Sequence, residues 1–150
     1  MSSLFAFLHH LAAFTLFAAL VVEFVLIRDE ITAQSARKIQ NADRVFGLAA
    51  GVLLVVGFLR VFHFEKGAFY YFHTWTFITK LSLFILIGLA SIIPTAEFLS
   101  WRKAVREGKA PSVTSAKLRL LRLIIHLELA GIVVIVLMAA LMAKGIGLTM

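Results

Sequence analysis

The sequence contains no cysteine. That excludes disulfides, thiolate nucleophiles, zinc–thiolate sites, iron–sulfur clusters and covalently attached c-type haem together. Any metal or cofactor has to be held by His, Lys, carboxylates or oxygen donors. Charge is scarce as well: Asp, Glu, Lys and Arg make up 15% of the 150 residues, where a soluble domain has about a quarter. Acidic residues are scarcer still, eight against 15 basic ones. There is no P-loop, no dinucleotide glycine fingerprint, no H-E-x-x-H and no G-x-S-x-G elbow, so soluble-enzyme chemistry on nucleotides or peptides has no support.

What the chain has in excess is apolar length. Hydrophobic residues are 61% of the total and the mean hydropathy is +0.97, more than a water-soluble core of this size uses. A hydrocarbon layer of ~30 Å needs about 20 apolar residues in helix. Four segments meet that length: about 4–27, 45–64, 73–99 and 118–142. No linker is long enough to separate two domains, so residues 1–150 read as one all-α unit, an integral membrane four-helix bundle. The first segment lacks a basic leader and carries Glu23 inside it, which predicts a retained span rather than a cleaved signal. Gly47 and Gly51 form a small-xxx-small pair, expected to pack within the chain.

The net charge of +7 is a matter of topology rather than of nucleic acid. The connection after the first span carries Arg28, Arg37, Lys38 and Arg44. The third connection and the start of the fourth span carry Arg102, Lys103, Arg106, Lys109, Lys117, Arg119 and Arg122. These are 11 of the 15 basic residues. The positive-inside rule puts both termini outside, periplasmic in the cytoplasmic (inner) membrane of a Gram-negative bacterium.

Ionisable groups inside a membrane each cost at least ~2.5–3.5 kcal/mol near its centre and are functional candidates for that reason. With a rise of ~1.5 Å per residue they sort into two layers. His9, His10, Arg60, His63, His73 and Lys80 fall in the outer half, and Glu23, Glu97 and His126 in the inner half. Glu128 lies two residues beyond His126 and points about 200° away from it. His73 and Lys80, seven apart, share a helix face to within about 20°. One of the adjacent His9 and His10 should look into the bundle and the other out of it.

Neutral imidazole is a common axial ligand for haem iron, and antiparallel helices can present two at one depth. Arg60 suits a propionate, with Lys66 as a more exposed alternative. Phe58, Phe62, Phe64, Phe69, Tyr70, Tyr71, Phe72 and Trp75 give that end an aromatic surround compatible with a porphyrin. Tyr70, Tyr71 and Trp75 also suit an interfacial aromatic belt. Lys80, about 10 Å deep, strains the reach of a snorkelling side chain and is expected to face a functional cavity. Glu23, Glu97 and His126 suit either proton handling or structural cross-linking of helices.

The first-helix histidines and the third-segment run "KLSLFILIG" after Trp75 resemble the small bacterial membrane protoporphyrinogen IX oxidases of the HemJ type. That resemblance implies b-type haem, with His10 (or His9) and Lys80 as functional positions. The sequence departs from that pattern where Thr76 follows Trp75 and where Lys80 stands five residues after it. Over most of its length, through "LHHLAAF" and "TKLSLFILIGLASIIPTAEFLSW", the chain resembles an uncharacterised family of bacterial four-helix membrane proteins, which implies a fold and little function.

The leading expectation is therefore a b-type haem protein with a redox role, electron transfer or oxidation of a porphyrinogen or quinol. In it, His10 or His9 is one axial ligand, and His73, His63 or Lys80 is the other. Lys80 could instead hold a propionate or a substrate carboxylate. The alternatives are a small proton-coupled carrier and an accessory subunit without haem. Expected partners are the lipid bilayer and a quinone, porphyrin or redox protein, with homo-oligomerisation open.

Overall fold

The computed structural model describes residues 2–64, 69 and 72–146. Helix α1 spans Ser2–Leu26 and α2 spans Ala33–Leu59, continuing as a π-helical turn, Arg60–Phe64. Then come α3 (Trp75–Ala90), α4 (Ile92–Ser100), the short α5 (Arg102–Arg106) and α6 (Ser115–Ala143). Four continuous helical stretches, Ser3–Leu26, Ala33–His63, Trp75–Ser100 and Ser115–Ala143, are long and apolar enough to cross a membrane. The protein is thus an all-α membrane protein, and no β-strand occurs among the described residues.

Local chemistry explains the element ends. Helix α2 begins well before the apolar run at Val45 because Thr32 and Ser35 form a reciprocal capping box, which satisfies two of the orphan N–H groups of the first turn. Behind it, Ala36, Ile39, Gln40, Asp43 and Phe46 are buried at the three- and four-residue spacing of one helix face. What looks in sequence like a polar linker is therefore the first third of a membrane helix. The third span breaks at Ser91 because Pro94 has no N–H and its ring crowds the carbonyl four residues back. Ser91 Oγ donates to Gly88 O at 2.8 Å there. After α5, Gly108 takes φ +70°. Lys109 N then bonds Ala104 O and Gly108 N bonds Val105 O, the paired bonds of a left-handed helix stop. Thr114 caps α6 by accepting from Lys117 N.

Helix α1 packs along α2, and α3 along α6. The two pairs join where α1 meets α6 and where α4 and α5 meet α2. The tightest packing lies toward the end that carries the basic connections, termed the basic end below. Leu20, Ile27, Ile39, Phe98, Leu121 and Ile125 are wholly buried there. Toward the opposite end, which carries both termini, Val61 and Phe77 form a smaller cluster with Leu81 and Met142. Gly47 and Gly51 depart from expectation: both are exposed, and a Cβ at either would meet nothing within 4 Å. Their stripe faces away from the chain's own helices. The close approaches are made elsewhere, by Gly131 against Ile87 and by Gly57 against His9.

Candidate functional site

Three of the long helices carry one buried apolar stripe, and in each the stripe is interrupted by an acid. On α1 it runs Ala12, Leu16, Ala19, Leu20, Glu23. On α2, Asp43 follows Ala36, Ile39 and Gln40. On α6, Glu128 follows Leu121, Ile124 and Ile125. Because the apolar neighbours fix which face of each helix points inward, the acids are carried inward with them. Glu23 and Glu128 are each only 2% exposed. The three carboxyls lie close enough to act on one another through space.

Their hydrogen bonding is unequal. Thr95 Oγ1 donates to Asp43 Oδ1 at 2.6 Å, a bond from α4 to α2. One turn earlier on α2, Gln40 Nε2 donates to Phe98 O at 2.6 Å. By contrast, Glu23 Oε1 and Glu128 Oε1 are fully buried and accept no hydrogen bond among the described residues. An unsatisfied buried polar group costs about 1–3 kcal/mol. Two such atoms in one interior are therefore a specific feature of the fold. Arg44, the residue of α2 next to Asp43, is exposed.

Glu97 and His126 take other positions. Glu97 Oε1 accepts from Trp101 Nε1 at 3.1 Å, and its Oε2 pairs with Lys117 Nζ at 2.7 Å, tying α4 to α6. His126 is exposed, with its ring centroid 5.8 Å from that of Phe24. The inner group seen in sequence as Glu23, Glu97 and His126 is thus Glu23, Asp43 and Glu128 in three dimensions. Asp43 escaped notice because it sits in a charged stretch beside Arg44, and Glu128 because it was set apart from His126. The available signal was its spacing, seven residues after Leu121 and three after Ile125.

At the opposite end the polar residues are more dispersed. His9 is half-buried and faces α2, its Cε1 3.7 Å from where a Cβ on Gly57 would stand. His10 faces outward, its Nδ1 2.6 Å from Ala6 O. His73 is exposed and does the same, its Nδ1 2.8 Å from Phe69 O. A carbonyl can only accept, so Nδ1 is the donor in both contacts. His63 lines an apolar cleft of about 320 Å³ with Leu54, Val55, Phe58, Leu59 and Phe62. The Lys80 ammonium stands 5.3 Å from the centre of the Phe77 ring, in cation–π range. Arg60 is half-buried at the start of the π-helical turn. Lys66, Tyr70 and Tyr71 lie outside the described residues. Among the described residues, no three His, Asp or Glu side chains converge closely enough to bind a metal ion.

No curated protein and no solved structure matches the chain. One family does: the chain belongs, over residues 1–147, to the family described as "Predicted membrane protein (DUF2214)".

Proposed function

We propose that this member of a family of predicted membrane proteins handles protons within the bilayer, with Glu23, Asp43 and Glu128 as the exchanging groups. The observation that carries this reading is the pair of buried carboxyl oxygens on α1 and α6 that accept no hydrogen bond among the described residues, with Asp43 on the buried stripe of α2. A carboxyl in a dry interior needs a compensating proton or cation. Intramembrane acids that face the bundle interior mark ion and proton relays. A proton needs only one oxygen at a time, which suits acids that converge without forming a three-ligand metal group. Thr95 holds Asp43 in place, while Glu23 and Glu128 keep an oxygen available to gain or pass a proton. With the basic end in the cytoplasm, as the positive-inside rule implies, the site lies in the inner half of the membrane and both termini lie outside.

The test is proton flux in proteoliposomes carrying an internal pH-sensitive dye, with an imposed pH step. Wild type should relax the step, and the double substitution Glu23→Gln with Glu128→Gln should slow it at least tenfold. Flux no faster than in protein-free vesicles, or a double variant that behaves as wild type, would remove the reading.

A second reading rests on a separate observation. Imidazole is a common axial ligand of haem iron, and His10 and His73 each have Nδ1 held by the carbonyl four residues earlier, the kind of second contact that orients a metal-bound histidine. In this reading they are the axial ligands of a b-type haem, with Arg60 for a propionate, His9 and His63 beside it, and Lys80 placed to hold a substrate carboxylate. The haem would supply electron transfer or oxidation of a porphyrinogen or quinol. Protein expressed with haem precursor should show a Soret band and resolved reduced bands that His10→Ala shifts or abolishes. A colourless preparation ends this reading and leaves the proton reading intact.

A further inference from the structure

At the basic end, a cleft of about 320 Å³ opens between the turn after α1 and the loop that leads into α6. Its lining includes Arg28, Asp29, Glu30 and Arg122, with Ile31 and Val113 as apolar walls. Arg122 is fixed: its Nε donates to Ile27 O at 2.8 Å and its Nη2 to Arg28 O at 3.1 Å, closing the carbonyls left open by the end of α1. Arg28 is steadied by the Phe24 ring, 5.6 Å from its guanidinium carbon. Neither Asp29 nor Glu30 takes part in an ion pair or a side-chain hydrogen bond among the described residues. The cleft thus offers two held guanidinium groups and two uncommitted carboxylates side by side. It does so where the apolar run of α1 stops, the depth at which lipid headgroups sit.

We propose that this cleft binds a phosphoethanolamine headgroup, with the phosphodiester on Arg28 and Arg122 and the primary ammonium on Asp29 and Glu30. Guanidinium suits a phosphodiester because its forked N–H groups match two phosphate oxygens. A primary ammonium brings three N–H donors to acceptor-only carboxylates. A phosphoglycerol headgroup supplies the phosphate and hydroxyl donors but no positive charge to offset the two carboxylates. A phosphocholine has the positive charge but no N–H to donate. Only a headgroup with both functions satisfies both sides of the cleft.

The experiment uses the full chain in detergent with an equimolar mixture of phosphatidylethanolamine, phosphatidylglycerol and phosphatidylcholine of identical acyl chains. Retained lipid is counted by native mass spectrometry. Phosphatidylethanolamine should be retained at least fivefold over either competitor. Asp29→Asn with Glu30→Gln, both on the exposed turn and away from the core, should erase the preference over phosphatidylglycerol. Arg28→Gln, which removes a guanidinium from the phosphodiester common to all three headgroups, should lower retention of all three. Millimolar O-phosphoethanolamine that displaces the lipid would make the free headgroup a sufficient ligand, and failure to displace it would make the acyl chains part of recognition. Equal retention of the three lipids, or a preference untouched by the carboxylate substitutions, overturns the proposal.

Discussion

The two ends of the bundle differ in how many of their described polar side chains reach a neighbouring helix. At the basic end, side chains reach from one helix to another: Thr95 to Asp43, Gln40 to Phe98 O, Arg122 to Ile27 O, and Lys117 to Glu97. Toward the other end His10, Thr15 and His73 bond back to the carbonyl four residues earlier, on Ala6, Leu11 and Phe69, while Thr76 Oγ1 reaches across to Ile146 O at 3.3 Å. A bond to the preceding turn satisfies a donor wherever the helix goes, and it says nothing about a neighbour. A bond across helices fixes rotation and depth at once. In lipid, where apolar burial does not drive helix association, packing and such bonds decide the arrangement. The basic end is therefore held by several side-chain bonds across helices, and it is where the buried acids lie.

That contrast can be tested by removing single polar groups and following apparent unfolding in one detergent. Thr95→Val takes the only side-chain donor from the Asp43 carboxylate among the described residues and should cost about 1–2 kcal/mol. A smaller loss than that of the capping variant below would mean the cross-helix bond does not order the site. Thr32→Ala breaks the capping box that lets α2 start early, at an expected cost of about 1 kcal/mol. Faster amide exchange should be confined to 33–36, and loss of protection as far as Phe46 would show that the cap holds the whole buried stripe. His10→Ala should change stability by no more than about 0.5 kcal/mol, as expected of a surface substitution. A loss as large as that of Thr95→Val would show that the far end is specified as tightly as the basic end.

Much of this was legible in the sequence. The number of spans was readable because a bilayer imposes a length that few other environments demand. The basic-side asymmetry was readable because it is a count. Glu23 stood out because it interrupts a long apolar run. Asp43 did not, since it lies among charged residues and its burial comes from the capping box and from α4 packing over α2. Glu128 was visible, but assigning it to the interior meant choosing between two opposite faces of one helix. The choice between His9 and His10 was of the same kind, and the structure places His9 against α2 and His10 outward.

Taken alone, the sequence determined which segments are helical and apolar enough for a membrane, where each face of a helix begins and ends, and which ionisable groups a bilayer would tolerate only with compensation. Those are properties of one helix and its solvent. Which faces meet was decided by the tertiary structure. Packing of α4 on α2 brings Thr95 to Asp43, Arg122 closes the end of α1, and three acids at least 20 residues apart in pairs along the chain come to share one interior. Helical periodicity states the face a residue occupies, and only the packing of four helices states what that face sees.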